Sequence, residues 1–304
     1  MTARRIDGKL RAAEIQSEVA ERAAKLRSEG VIPTLAMMRI GEDPASVIYL
    51  RKKAEASESV GVASKEVILP ADANHDEARS ALAALNQDPD VHGILLQLPL
   101  PEGWDVTELL GMIDPDKDVD GFHSVSVGRL AKGEPTFVSC TPLGVLYLIL
   151  REGIELKGKV VAVLGRSNVV GRPLANLLSQ KGPTGDATVI LLHSRSRNPG
   201  TLTRQADVLI AAAGKAGVVT ADMVKPGATV IDVGIHRVPN PDKPGKFRLV
   251  GDVAPEVKEV AGALTPVPGG VGPMTVAMLL RNTVDAASGM TTRPLEVRDG
   301  AATG

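Results

Sequence analysis

The run Lys159-Val-Val-Ala-Val-Leu-Gly165 narrows the folds open to this chain more than any other segment. Its apolar residues follow one another without alternation, which reads as a strand buried on both faces. Gly165 then opens a glycine-bounded turn, Arg166-Ser-Asn-Val-Val-Gly171, that leads into a helix. Strands covered on both faces belong to α/β folds, in which helices join the strands of a mostly parallel sheet.

The rest of the chain repeats that alternation. Residues 10–29 carry apolar groups at helical spacing (Leu10, Ile15, Val19, Ala23, Leu26), and Gly30 stops them. A strand follows at Thr34–Ile40. Asp43-Pro44 then supplies an N-cap and a first-turn proline for a helix running to about Val60. Strands at 65–69 and 91–98 flank a helix at about 75–85. Beyond Gly165 the pattern predicts a helix over about 170–180, strands at 188–193, 208–211 and 229–232, and a last helix over about 274–287. Residues 239–249, rich in proline and lysine, read as a hairpin or loop. No internal repeat is present. The expected architecture is two α/β lobes around a cleft, the second Rossmann-like, with a boundary near 140–155. The first domain spans 1–145, joined by the C-terminal helix 273–290; the second spans 146–272; residues 291–304 form a polar tail expected to be mobile.

Composition removes several classes of function. Of 304 residues, 43% are hydrophobic and 23% charged, enough for a buried core of about two domains. Three Phe, two Tyr and one Trp leave few rings for stacking nucleic-acid bases, and a net charge of −1 offers no basic field. No nucleic-acid partner is therefore expected. One cysteine excludes an internal disulfide and a multi-cysteine metal site. Apolar runs are short, as at Val145–Leu150, so no membrane partner is expected, and the first residues carry charges rather than a signal core. A cytoplasmic location is the expectation.

Phosphate binding requires bare backbone N–H groups at a helix N-terminus, and glycine lets a phosphate approach. Only Gly165 and Gly171 of a dinucleotide fingerprint stand here, so an ordinary strand-to-helix turn explains the segment equally well. The end of the next strand adds information. Where an NAD enzyme commonly places an acidic residue, this chain has His193-Ser-Arg195-Ser-Arg197. Hydroxyl and guanidinium groups suit a 2′-phosphate, and Arg166 can reach the same group, which favours NADP over NAD. A solvated basic loop is the plainer reading of that run.

In the other half, Tyr49 and Lys53 stand four apart on one helix face, a ring beside an ammonium able to move protons once its pKa falls. A solvated face has the same spacing. Gln97 ends the run Gly93-Ile-Leu-Leu-Gln97-Leu-Pro, where parallel sheets keep their sites. Of the clustered carboxylates from Asp114 on, Asp116, Asp118 and Asp120 before Gly121 imitate the start of a calcium loop. Its twelfth position is Val127 rather than Glu, so calcium does not fit. The histidines lack metal-ligand spacing, and no metal is expected. Thr265-Pro-Val-Pro-Gly-Gly-Val-Gly-Pro-Met-Thr275 is a rigid loop that presents backbone groups ahead of a helix. Taken singly, these features leave open a two-lobed dehydrogenase of another small substrate, or a nucleotide-binding protein without catalysis.

Taken in order, the segments resemble the bifunctional methylenetetrahydrofolate dehydrogenase/methenyltetrahydrofolate cyclohydrolase family. The matching stretches are Ile6-Asp-Gly, Asp43-Pro-Ala-Ser46 with Tyr49 and Lys53, Gly93 to Pro101, Lys117-Asp-Val-Asp120-Gly-Phe, Cys140-Thr-Pro, Gly165-Arg-Ser, His193-Ser-Arg, Asp232-Val-Gly-Ile235, Gly251-Asp-Val, and the proline–glycine loop to Thr275. The resemblance implies Lys53 as general acid/base, Tyr49 packed on the folate rings, Gln97 orienting Lys53, and Asp120 bonded to the pterin amino edge. It implies Gly165, Arg166, Ser167, Ser194 and Ile235 as NADP contacts. Pro268, Gly269 and Gly270 become substrate contacts, and tetrahydrofolate derivatives the substrates of a homodimer. Ser139, Ala254 and the segment 181–187 depart from the family pattern, which bears on loop geometry only.

Overall fold

A computed structural model describes residues 2–241 and 245–290 of the chain, with no account of the Ala45 side chain. The tail expected over 291–304 lies outside the described residues. Two compact units emerge: one holds residues 2–12 and 141–275, the other 13–140 and 276–290.

In chain order the elements are β1 (Arg4–Arg5), α1 (Gly8–Ser28), β2 (Thr34–Ile40), α2 (Pro44–Ser59), β3 (Ala63–Leu69), α3 (His75–Gln87), β4 (Gly93–Leu96), α4 (Val106–Met112), α5 (Ser124–Lys132) and α6 (Cys140–Arg151). There follow β5 (Val160–Leu164), α7 (Gly171–Leu178), β6 (Thr188–Leu192), α8 (Pro199–Thr203), β7 (Val208–Ala211), β8 (Thr229–Asp232), β9 (His236–Pro239), β10 (Phe247–Val250), β11 (Ala263–Leu264) and α9 (Val271–Ala287).

In the unit of residues 13–140 and 276–290, a parallel sheet has the order β3-β2-β4. Its core is aliphatic: Ala36, Met38 and Ile40 of β2 pack with Ile94 and Leu96 of β4 and with Ala78, Leu82 and Leu85 of α3. Caps set the helix starts. The Asp43 carboxylate accepts from the Ser46 N–H at 2.7 Å, and Asn74 and Glu77 form a reciprocal capping box on α3. The predicted strand over 91–98 shortens to Gly93–Leu96, and beyond Leu98 the chain cannot continue the ladder because Pro99 brings no N–H.

The other unit carries a parallel sheet in the order β1-β11-β8-β7-β5-β6. Ala162, Leu164, Leu209, Ala211 and Val230 form its centre, with Val219, Val224 and Val257 beside them. Residues 2–12 cluster here because Arg4 and Arg5 pair with Ala263 and Leu264. The excursion predicted over 239–249 is held by an antiparallel pairing of β9 with β10. The last helix starts at Val271, three residues earlier than its apolar spacing suggests.

Candidate active site

In the unit of residues 13–140 and 276–290, α2 and the end of β4 bring two side chains together. Gln97 follows β4 directly, and its N–H donates to the Met38 carbonyl at 2.8 Å, which extends the ladder by one residue and fixes its backbone. Its side-chain Nε2 donates to the Leu98 carbonyl, leaving Oε1 as an acceptor. The Lys53 ammonium donates to that Oε1 at 3.0 Å. Burial lowers the Lys53 pKa from its ordinary value, and the Asp120 carboxylate opposes the shift. Asp120 is itself pushed up by burial, with Lys53 pulling it back.

The loop bearing Asp120 is fixed from several sides. The Asp118 carboxylate accepts from the N–H groups of Phe122 (3.1 Å) and His123 (2.9 Å) and from the Ser126 hydroxyl (2.8 Å). Lys117 donates to the carbonyls of Asn86 and Asp88 at the end of α3. The Asn282 amide of α9 donates to the carbonyls of Val119 (2.8 Å) and Val138 (3.2 Å). Gly121 has φ +70°, and a Cβ there would stand 2.5 Å from the Ser139 nitrogen. Of the sequence's clustered carboxylates, Asp118 is thus a structural cap, and Asp120 is the one in electrostatic reach of Lys53. Burial raises the Cys140 thiol well above its ordinary value, and Asp120 adds to the shift, so the sulfur stays neutral. Tyr49, one turn before Lys53, keeps half its surface exposed, beside exposed Val47 and Ile48. Among the described residues no group of His, Cys, Asp and Glu has metal-holding geometry.

The other unit gathers the second set at the carboxyl ends of its parallel strands. Gly165 follows β5, Ser194 lies two residues after β6, and Ile235 lies three after β8. Gly165 has φ +131°, and a Cβ there would lie 1.9 Å from the Ala212 carbonyl oxygen. A Cβ on Gly171 would lie 1.9 Å from the Gly165 carbonyl oxygen. Both glycines are therefore required by the close backbone packing that shapes this strand-to-helix turn. The Ser167 hydroxyl accepts from the Val170 N–H at 3.1 Å, a tie within the turn itself. Arg166, Ser194, Arg195 and Arg197 are exposed, and Ile235 is an exposed aliphatic group. A tight strand-to-helix turn, exposed cations and an apolar side chain at the carboxyl ends of one sheet fit an anionic dinucleotide.

Pro268, Gly269 and Gly270 belong to this unit as well, apart from the unit that carries Tyr49, Lys53, Gln97 and Asp120. Their loop packs on the start of α1, where a Cβ on Gly8 would lie 1.8 Å from the Gly270 carbonyl oxygen.

Two residues without a role in the sequence reading stand out. Asp232 and Asp252 are almost wholly buried and bind loop backbone: Asp232 accepts from the N–H groups of Gly234, Asp252 and Val253 at 2.9 to 3.0 Å. Their signal in the sequence is an aspartate beside a glycine, Gly251-Asp252 and Asp232-Val-Gly234, which implies a carboxylate against bare backbone.

Residues 6–120 match the family model described as tetrahydrofolate dehydrogenase/cyclohydrolase, catalytic domain, and residues 139–291 match the model described as its NAD(P)-binding domain. The bifunctional protein FolD of Bradyrhizobium sp. (strain ORS 278) is 52% identical over 289 residues, covering 94% of this chain and 96% of that protein. Among solved structures, the bifunctional FolD enzyme of Campylobacter jejuni is 43% identical with a TM-score of 0.88, covering 93% of this chain and 98% of that one. The Trypanosoma brucei methylenetetrahydrofolate dehydrogenase-cyclohydrolase, solved with NADP cofactor and an inhibitor, is 39% identical with a TM-score of 0.87, covering 95% and 98%.

Proposed function

Because the chain belongs to the tetrahydrofolate dehydrogenase/cyclohydrolase family, we propose that Lys53, Gln97 and Asp120 carry its proton chemistry and that the Gly165 edge holds its cofactor. The enzyme oxidises 5,10-methylenetetrahydrofolate to 5,10-methenyltetrahydrofolate with NADP, then hydrolyses that product to 10-formyltetrahydrofolate, a pair of reactions of one-carbon folate metabolism. The observation that carries the site assignment is the 3.0 Å bond from Lys53 to Gln97 beside Asp120.

Held at the Gly165 edge, NADP would supply the acceptor for the hydride that leaves the methylene carbon in the first reaction. The Gly165 turn and Ser167 would receive the phosphates through backbone N–H groups, while Arg166 and Ser194 would hold the 2′-phosphate. Ile235 would give the cofactor an apolar wall. Asp120 would accept from the pterin amino edge and Tyr49 would cover the ring face, so that the reacting carbon is held in one orientation. Pro268, Gly269 and Gly270 would contact the substrate through backbone.

The second reaction adds water to an electrophilic cation whose charge the folate nitrogens share. Lysine is a useful base at neutral pH only when its ammonium is destabilised, and burial does this to Lys53. Gln97 Oε1 takes one Lys53 N–H, which directs the remaining donor or lone pair elsewhere. Lys53 would take a proton from the attacking water and return one as the ring opens.

We assign folate chemistry to residues 1–145 with helix 273–290, and NADP binding to 146–272. A homodimer in the cytoplasm completes the reading. No helix among the described residues is long and apolar enough to cross a membrane. Absorbance at the NADPH band after mixing protein, NADP and methylenetetrahydrofolate tests the reaction. A flat trace with folded protein overturns it.

A further inference from the structure

Ala213, Gly214 and Lys215 follow β7 and turn their N–H groups toward one point. Such a run of N–H groups is an anion nest of the kind that binds phosphate. Here the chain fills it with its own carboxylate. Asp252 Oδ2 accepts from Ala213 at 2.6 Å and Gly214 at 2.9 Å, and Oδ1 accepts from Lys215 at 3.0 Å. His236 Nε2 adds a 2.7 Å bond to Oδ1, and Asp252 has no exposed surface.

The neighbours of this nest are the candidate cofactor residues. Ala212, one residue before it, is the group whose carbonyl forbids a side chain at Gly165. On the other flank, a Cβ on Gly234 would stand 2.4 Å from Asp252 Oδ1, and Ile235 is the next residue. Asp232 closes the arrangement by accepting from the Gly234 and Asp252 N–H groups at 3.0 and 2.9 Å. Asp252 therefore ties the segment after β7, which backs the Gly165 turn, to the segment after β8, which carries Ile235.

We propose that Asp252, held by His236, is a positioning residue for NADP, fixing the Gly165 turn and Ile235 relative to one another at the sheet edge. The proposal rests on the cofactor assignment given above. Asp252 is wholly buried away from the reacting atoms and acts through the two loops. A carboxylate is needed because both oxygens face backbone N–H donors, Oδ2 those of Ala213 and Gly214 and Oδ1 that of Lys215, so an amide in either orientation would set its own donors against one of them.

The test uses the intact enzyme with separate assays for NADP-dependent oxidation and for hydrolysis of supplied methenyltetrahydrofolate. Asp252→Asn is expected to raise the KM for NADP about tenfold or more, the usual cost of a lost charge-assisted hydrogen bond, with the folate KM and the hydrolysis rate within about twofold of wild type. His236→Ala, which keeps the buried carboxylate, is expected to raise the NADP KM about threefold, and His236→Gln to restore it because its amide N–H can donate to Oδ1. A role in folding alone would lower the thermal midpoint without this split between substrates and without rescue by glutamine. Ser194→Ala serves as the control on the cofactor assignment. If Ser194→Ala raises the NADP KM while Asp252→Asn and His236→Ala leave it unchanged, the proposal fails alone. If all three leave it unchanged, the cofactor assignment fails with it.

Discussion

The Lys53 ammonium meets the Gln97 amide oxygen at 3.0 Å, a contact between two residues 44 positions apart. Gln97 cannot turn its amide round without losing the bond from its Nε2 to the Leu98 carbonyl, so the oxygen stays toward Lys53. The lysine is consequently held by an acceptor that carries no charge. Gln97 orients the ammonium without the large pKa rise that a carboxylate at that place would cause.

Lys53→Ala removes the proposed base while leaving the other unit unchanged. Hydrolysis of methenyltetrahydrofolate should fall about 10²- to 10⁴-fold, the usual worth of a positioned acid–base group. NADP affinity, measured by titration, should stay at the wild-type value. Hydrolysis at the wild-type rate would remove Lys53 from the mechanism.

Asp120 bears on the pH dependence of the same step. Its negative charge favours the Lys53 ammonium, so Asp120→Asn should lower the lysine pKa further. Hydrolysis needs neutral Lys53 and rises with pH through that pKa. The acid limb of the pH–rate profile should therefore move to lower pH in Asp120→Asn, whatever happens to the plateau. A limb that moves to higher pH contradicts the assignment.

Tyr49 is half exposed, and few aromatic residues exist to replace it. Tyr49→Ala is expected to raise the KM for methylenetetrahydrofolate about tenfold, and Tyr49→Phe to change it less than about twofold, since ring area rather than the hydroxyl does the packing. Equal values for Tyr49→Ala and wild type would assign the packing to aliphatic surfaces.

Gly165→Ala places a methyl 1.9 Å from the Ala212 carbonyl oxygen at φ +131°. The turn must shift, and NADP binding measured by calorimetry should be lost or weakened by more than about tenfold. Hydrolysis of supplied methenyltetrahydrofolate should persist. Unaltered NADP affinity would mean that this turn does not hold the phosphates.

Burial pushes the Asp118 carboxyl up to about 6 from its ordinary 3.8. Between those values the folded chain binds the proton more tightly than the unfolded one. This group's contribution to stability is thus present below about pH 4 and is lost as pH rises through about 6, by roughly 3 kcal/mol. Asp118→Asn should flatten that part of the stability profile. Urea unfolding of both proteins at pH 4 and pH 7 measures the difference, and parallel profiles would contradict it.

Elements with a clear period were legible in the sequence, and α1, β2, α2, α3, β7 and β8 fall close to where spacing and caps predict them. Helix α6 was not, because Leu143, Val145, Leu146, Leu148 and Ile149 are all buried, and a helix apolar on every side has no polar face to set a period. Helices α4 and α5 are seven and nine residues long, too short for the spacing to separate them from turns. The candidate site divides likewise. Tyr49 and Lys53 are visible as a pair because one helix turn separates them, whereas Lys53 and Gln97 meet only through the pairing of β2 with β4. Asp232 and Asp252 were hidden more deeply. Asp232 binds backbone and has no complementary side chain in the sequence to announce it, and the one side-chain partner of Asp252, His236, meets it only in the fold.

The pairing of β1 with β11 also sets an order of events during synthesis. Arg4 and Arg5 emerge early, but their partners Ala263 and Leu264 are made only when most of the chain exists. Closing so long a loop returns little until the strands between are in place, so this seam should be among the late long-range contacts to form. On a ribosome-bound chain halted before residue 263, a protease would find residues 2–6 open. Their protection marks the moment at which that sheet is complete.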